Sequence, residues 1–339
     1  MDFSYSDDHQ SVADLAKQVF RDMVSDGEAD PALWQTLADA GLLGVALGSD
    51  SGGSDLGFIG AGLVLREQGA VLAPVPLLPA MVAALSQQEA GITASVARFV
   101  KGESWSVACV DGGLELAGDT VSGELACVPF ALGAETVVAT AGHQLLQVAL
   151  AQPGVSLEAQ QLTSHLPAAR LRFKEAKAQI LGTDAAVERL RQRLLVATAM
   201  LQLGVVDEAL ARTAAFTVER SQFGQPLARF QAVAQRAADA YIDVEALRAT
   251  AESALWRLDA GQDATLEAAT ALWWAAEAGH RVAHTAQHLH GGIGADIDYP
   301  IHRYFLWAKQ VEFSLGGAAH TAARIGRDLA LHPTIGGRK

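Results

Sequence analysis

Arg220 and Phe223 place a cation and an aromatic ring three positions apart, where one apolar helical pattern ends and another begins. Gly224 and Pro226 break the helical periodicity, and Phe230 restarts it. A short corner between two long helices can present a positive charge outward. The alternative, which the pattern alone favours, is an arginine that satisfies carbonyl groups at a helix end beside a core aromatic.

A second group of residues that could bind a ligand lies near the C-terminus, at the end of a long helical pattern. Its members are His288, His290, Gly291, Gly292 and Gly294. Histidines in the last turn of a helix complement its dipole, and a glycine beyond them can cap it. No carboxylate stands at a ligand spacing nearby, so a metal site is not indicated. Taken alone, this run predicts a helix cap.

Long helices in the second half of the chain must position both groups. Helical spacing covers four stretches, Asp184 to Thr217, Phe230 onwards, Thr265 to His290, and Tyr304 to Ala330. Helices of roughly 25 residues are about 40 Å long, and four of them joined by short corners predict an antiparallel bundle. Gly204 lies on the apolar stripe of the first helix and predicts the close approach of another helix.

The N-terminal part also predicts helices, with Ser6 or Asp7 as the first cap. The predicted helices are Asp7 to Val24, Leu33 to Ala40, Leu56 to Gln68, Met81 to Gln88 and Ala94 to Val100. The glycine-rich stretch Gly48 to Gly57 lacks the lysine and the preceding strand of a phosphate loop, so a surface loop is predicted.

After Lys101 the sequence pattern changes to short runs in which apolar and polar residues alternate, separated by Gly, Asp and Pro. This pattern predicts a small β-domain that ends at about Gly182. The predicted strands are Trp105 to Val110, Leu114 to Ala117, Thr120 to Val121, Thr136 to Thr140, Leu145 to Leu150, and Ala169 to Phe173. The fold class is therefore helical with a small β-domain.

Composition narrows the possible functions. The 339 residues are 50% hydrophobic, which is enough to bury the cores of two or three domains. A net charge of −13 argues against nucleic acid or an anionic membrane as the main partner. Cys109 and Cys127 are the only cysteines, and no signal-peptide pattern opens the sequence, so two free thiols in the cytoplasm are expected.

The longest uncharged run, Gln68 to Gln88, approaches the length of a membrane span, about 20 residues. It contains Pro74, Pro76 and Pro79. Three prolines within six residues interrupt a helix. A buried extended connection followed by a short helix is predicted instead of a membrane anchor.

The run Arg-Ser-Gln-Phe-Gly-Gln-Pro-Leu at Arg220 to Leu227, with Phe230-Gln231 beyond it, resembles the acyl-CoA dehydrogenase flavoproteins. The His-Leu-His-Gly-Gly-Ile-Gly run that begins at His288, followed by Asp-Tyr-Pro-Ile-His-Arg from Asp298, agrees with this resemblance. The two motifs and the N-terminal pattern together cover nearly the whole chain. The resemblance implies an N-terminal helical domain (1–101), a reduced middle β-domain (102–182), a C-terminal four-helix bundle (183–332) and a tail (333–339).

The same resemblance assigns cofactor contacts. In this family the residues that match Arg220 and Phe223 reach across a subunit interface to the diphosphate and adenine of FAD, where a guanidinium suits phosphate oxygens. The turn at Gly291 and Gly292 lets the backbone approach the ADP part of FAD. His288 stands where the family usually has glutamine. FAD is therefore the expected cofactor, and the resemblance implies desaturation of an acyl-CoA to its trans-2-enoyl-CoA.

Two features that the family needs for catalysis are missing. The middle-domain segments that would hold the flavin ring lack the expected hydroxyl and amide donors, as in Val128-Pro-Phe-Ala-Leu-Gly. Catalysis needs a carboxylate over the α-carbon of the thioester. The two positions that carry it in the family fall on Leu194 and Leu315. Glu245 and Glu312 are the carboxylates considered as substitutes, but charge on the bundle surface or a polar interface is the favoured interpretation of both.

A chain with the ADP half of a flavin site, but without the ring half and the base, resembles the smaller non-catalytic subunit of actinobacterial heteromeric (α2β2) dehydrogenases of steroid-CoA esters. The partners this implies are a larger catalytic acyl-CoA dehydrogenase subunit, an acyl-CoA substrate and an electron-transfer flavoprotein or similar acceptor. The alternatives are a self-sufficient homodimeric flavin enzyme with a relocated base and a flavin-free structural subunit.

Overall fold

The computed structural model describes residues 4–25, 28–110 and 112–331. Within these ranges a group of helices is followed by two four-stranded sheets and then by a longer group of helices. This order confirms the predicted fold class. The domain limits at residues 101 and 182 stay predictions, and the expected tail 333–339 lies outside the described residues.

The N-terminal helices bury apolar faces in a core that continues into the C-terminal helices and includes Phe20, Leu37 and Leu65. The elements are α1 (Asp7–Met23), β1 (Val24–Ser25), β2 (Glu28–Ala29), α2 (Leu33–Asp39), α3 (Gly57–Val71), α4 (Leu77–Glu89) and α5 (Thr93–Val100). Ser6 caps α1, since its hydroxyl accepts a hydrogen bond from the His9 N–H at 3.3 Å.

The proline-rich run is more helical than predicted. Helix α3 continues to Val71, and the extended connection is confined to the few residues before α4 begins at Leu77. The expected short helix from Met81 therefore starts earlier and includes Pro79. A proline is tolerated there because the first turn of a helix has no intrahelical acceptor for its N–H groups.

The middle part consists of two sheets with strand orders β10-β7-β6-β3 and β4-β5-β9-β8. The strands are β3 (Ser106–Cys109), β4 (Leu114–Ala117), β5 (Thr120–Pro129), β6 (Thr136–Ala141), β7 (Gln144–Ala149), β8 (Val155–Gln161), β9 (Pro167–Lys177) and β10 (Gln179–Gly182). All six predicted runs are strands. The sequence missed β8 and β10, which lie at sheet edges; β8 is largely exposed and therefore shows no apolar alternation.

Long helices dominate the C-terminal part. Its elements are α6 (Asp184–Glu219), β11 (Ser221–Gln222), β12 (Gln225–Pro226), α7 (Gln231–Asp259), α8 (Thr265–His290), α9 (Ile301–Phe313) and α10 (Gly317–Leu331). Helix α6 is long and apolar enough to cross a membrane by composition, but 78% of its most apolar window is buried inside the protein. That burial is typical of a core helix.

The last predicted helix, Tyr304 to Ala330, is wrong as a single element. The chain forms α9 and α10 with a break at Ser314 to Gly316. Gly316 and Gly317 adopt φ values of 101° and 72°, which only glycine adopts readily. The apolar spacing continues on both sides of this break, so periodicity alone could not show it.

Helices α3 and α6 touch backbone to backbone, as Gly204 predicted. A Cβ on Gly204 would lie 1.9 Å from the Arg66 carbonyl oxygen, and a Cβ on Gly69 would lie 2.1 Å from the Leu201 carbonyl oxygen. A methyl group at either position can be accommodated only if one helix moves away from the other.

We expect Gly204→Ala to lower the free energy of unfolding by about 3 kcal/mol, at the upper end of ordinary overpacking, because backbone atoms must move. Gly326→Ala is the matched control, since a Cβ on this glycine of α10 meets no atom within 4 Å. Helix propensity predicts a gain of about 0.5–1 kcal/mol for the control. Chemical denaturation measures both, and equal effects would contradict the close helix contact.

Candidate functional site

The corner after α6 holds Arg220 and Phe223 at the surface. Arg220 caps α6, with its N–H bonded to the Phe216 carbonyl at 2.8 Å and its own carbonyl accepting the Leu227 N–H at 2.8 Å. Strands β11 and β12 pair around a tip formed by Phe223 (φ 54°) and Gly224 (φ 81°). This tip lets the chain reverse between two helices.

The exposure of this corner contradicts the interpretation as a helix-end cation beside a core aromatic. Phe223 is 92% exposed, and its ring contacts Phe230 edge-on at 6.2 Å. Among the described residues the Arg220 side chain has no hydrogen bond or ion pair, so its guanidinium does not satisfy the helix end. Both side chains are free to meet another molecule.

The glycine turn after α8 is equally open. Helix α8 ends at His290, and Gly291 adopts φ 67° and ψ −141°, which no other residue adopts without strain. A Cβ on Gly291 or Gly292 would meet no atom within 4 Å, so there is free space beside the backbone of the turn. His288 is exposed one turn earlier, whereas Gly294 is buried.

An aromatic stack joins the turn to the corner. The His290 ring lies on Phe216 with centroids 4.2 Å apart and planes 24° apart. Its Nδ1 lies 2.8 Å from the Ala286 carbonyl, which can only accept, so Nδ1 carries the proton. Burial lowers the pKa of His290, so the ring is neutral at neutral pH. Because Phe216 also accepts the Arg220 N–H, the stack places both candidate segments on one surface.

The same two segments carry exposed apolar side chains. Val218, Phe223 and Ile297 are largely exposed, and Ile293 is 44% exposed. Exposed apolar residues on the segments that carry an unpaired cation are typical of a surface that another chain or ligand covers.

A separate cavity of about 710 Å³ lies between the sheets and helices α6, α9 and α10. Leu194 and Leu315, the two positions where the family motif would place a carboxylate, both line it. Trp307 and Val311 complete this apolar wall. No aspartate or glutamate occurs among the described residues that line the cavity. Within that described lining, no carboxylate is placed to take a proton.

The two glutamates considered as substitute bases lie elsewhere. Glu312 binds Lys309 at 2.5 Å and lies 3.4 Å from His280, between α8 and α9, with its side chain largely buried. Glu245 binds Arg248 at 3.2 Å on α7. Neither lines the cavity, and both have the ion-pair partners expected of structural charges.

The cavity also contains polar residues that the sequence did not single out. Gln68, Ser164, Arg191 and Arg324 line it from four different parts of the chain. The middle-domain segment from Val128 to Gly133 lines it only through Pro129 and Phe130. No short motif links these positions, so only the fold brings them together.

Family models match most of the chain. The acyl-CoA dehydrogenase N-terminal domain matches residues 7–100, and the acyl-CoA dehydrogenase C-terminal domain matches residues 182–330. The chain belongs to the acyl-CoA dehydrogenase family. The family is one of FAD-dependent oxidoreductases, which confirms the predicted enzyme class and cofactor.

Individual relatives are more specific than the family models. The acyl-CoA dehydrogenase FadE27 of Mycobacterium tuberculosis is 37% identical, over 96% of this chain and 93% of that protein. A solved steroid ACAD, Tcur3481-Tcur3483, matches with TM-score 0.92 and 38% identity, over 96% of this chain and 99% of the matched chain. The ChsE4-ChsE5 complex from Mycobacterium tuberculosis matches with TM-score 0.91 and 34% identity, over 97% of this chain and 99% of the matched chain. The predicted resemblance to heteromeric steroid dehydrogenases is confirmed.

Proposed function

We propose that this chain is the non-catalytic subunit of a heteromeric (α2β2) acyl-CoA dehydrogenase that converts a steroid side-chain CoA ester to its trans-2-enoyl-CoA. The observation that carries this proposal is a contrast within the chain. The surface built by Arg220, Phe223 and Gly291 is intact and open, whereas the cavity that contains Leu194 and Leu315 has no carboxylate among its described lining residues.

This chain supplies the ADP half of an FAD site at the subunit interface. The Arg220 guanidinium binds the diphosphate, and Phe223 packs on the adenine side. The free space beside Gly291 and Gly292 allows the ADP part to approach the backbone, and His288 contacts it in place of the usual glutamine. FAD, when bound, accepts the hydride that leaves the β-carbon of the substrate.

The partner subunit supplies the rest. The wall of the middle domain at Pro129 and Phe130 offers no side-chain donor to a flavin ring, so the ring-binding segment and the base belong to the larger catalytic subunit. The relatives support this division, since the ChsE4-ChsE5 structure is a complex and Tcur3481-Tcur3483 is a steroid ACAD. We propose a cytoplasmic enzyme whose electrons pass to an electron-transfer flavoprotein or a similar acceptor.

Co-expression tests the assembly. Purified alone, the chain should carry no flavin, because it holds only half of the site and exposes the apolar residues around the corner. Co-expressed with its full-length family partner, it should give a yellow complex with one flavin for every two chains. Absorbance in the flavin band against total protein measures the ratio. A stable yellow homodimer of this chain alone would refute the heteromer.

A further inference from the structure

The 710 Å³ cavity lined by Leu194 and Leu315 lies in the range of small-molecule sites, about 300–1,000 Å³. Most of its wall is apolar, including Trp307 from α9 and Leu78 from α4. The proposed function gives this cavity no role, because its described lining contains no carboxylate that could act as the base.

Two buried polar atoms at the cavity lack partners. Gln68 is 3% exposed, and its Nε2 donates to the Ala73 and Val75 carbonyls at 3.0 Å each, which fixes the amide orientation. Its Oε1 has no hydrogen-bond partner, and neither does the hydroxyl of Ser164, which is 7% exposed. A buried acceptor without a donor is unfavourable, so these residues point to a ligand that brings its own polar group.

Two guanidinium groups line the cavity close to each other. Arg191 and Arg324 both line it, and burial together with the nearby Arg191 lowers the pKa of the Arg324 guanidinium. Arg324 lies 3.6 Å from Glu188 and 3.8 Å from Asp328, which are longer than direct charge-assisted hydrogen bonds. Glu188 also binds Arg191 at 3.0 Å, so one carboxylate is shared between two guanidinium groups. Neither Glu188 nor Asp328 is among the described residues that line the cavity, so inside it the two guanidinium groups can accept a further anion.

We infer that the cavity binds an amphipathic carboxylic acid as a ligand that is not turned over. The carboxylate lies between Arg191 and Arg324, the apolar body fills the space beside Leu194 and Trp307, and a hydroxyl on that body donates to Gln68 Oε1. A free acid is specified because a thioester has no charge to place between the guanidinium groups. This site is distinct from the surface at Arg220 and Gly291, and the inference goes beyond the proposed function.

Equilibrium dialysis with ω-hydroxydecanoate tests the site, using the full chain in its co-purified complex. We expect saturable binding of one molecule to this chain. Decanediol, which lacks the carboxylate, and decanoate, which lacks the hydroxyl, should each bind more weakly, the diol by about ten-fold or more because a charge-assisted contact is lost. The CoA thioester of the same acid should not compete at this site.

Variants separate the two ends of the ligand. Arg324→Gln should weaken ω-hydroxydecanoate about ten-fold while leaving decanediol binding unchanged. Arg327→Gln, at an exposed arginine of the same helix, is the matched control and should change neither. Leu194→Trp should remove binding of both by filling the cavity. Circular dichroism checks the fold of each variant, and flavin content should not change with Arg324→Gln.

The inference fails if the acid and the diol bind equally, or if Arg324→Gln behaves like Arg327→Gln. It also fails if the CoA thioester displaces the acid, because the cavity would then hold a substrate-like ester. Loss of flavin from the wild-type complex overturns the proposed function instead. The two proposals can therefore be judged separately.

Discussion

Glu312→Gln and Glu245→Gln, each introduced with the wild-type partner, are expected to leave turnover of the assembled enzyme within a few-fold. Removal of the partner's base carboxylate should lower turnover by about 10² to 10⁴, the usual contribution of general-base catalysis. Steady-state rates with a fixed acyl-CoA measure both. The prediction rests on the position of Glu312 and Glu245 outside the cavity, where Lys309 and Arg248 bind them.

Flavin content is the control for these variants. Glu312 is largely buried beside Lys309, so the glutamine variant leaves a cation without its partner and can lower stability without touching catalysis. Turnover is therefore normalised to bound flavin. If either variant abolished turnover while flavin content held, the base would belong to this chain, and its assignment as the non-catalytic subunit would be wrong.

The sequence predicted the candidate site best where chemistry is local. The corner at Arg220 could be predicted because Gly224 and Pro226 end a helical pattern within a few residues. The turn at Gly291 could be predicted for the same reason. The exposure of Phe223 could not be predicted from its spacing in the sequence. A phenylalanine near a helix end has the same spacing whether it packs into the core of its own chain or against a partner.

The cavity shows the limit of local pattern. Gln68, Ser164 and Arg324 belong to separate elements, and each has an ordinary structural explanation when taken alone. Their shared property, an unpaired or weakly paired polar group facing one space, exists only after the sheets pack on the helices. The break between α9 and α10 lies between these two cases. The glycine pair Gly316-Gly317 is a local signal for a break, but the apolar spacing continues on both sides of it and predicts a single helix.

Arg220→Ala is expected to weaken flavin retention in the assembled enzyme by roughly ten-fold to a hundred-fold. The substitution removes a charge-assisted contact to phosphate worth about 1.5–3 kcal/mol. Equilibrium dialysis of FAD from the complex measures the change. The helical circular dichroism signal should persist, because within the described chain the Arg220 side chain makes no contact that holds the corner together.

Two further variants separate phosphate binding from general electrostatics. Arg229→Ala removes an exposed arginine from the same corner and should leave FAD affinity nearly unchanged. Arg220→Lys keeps the charge but loses the planar pair of N–H donors, so an intermediate affinity is expected. Equal losses for Arg220→Ala and Arg229→Ala would mean that the positive potential of the corner acts without a specific contact. Unchanged affinity in both would mean that the open guanidinium at Arg220 meets the partner protein instead of the diphosphate.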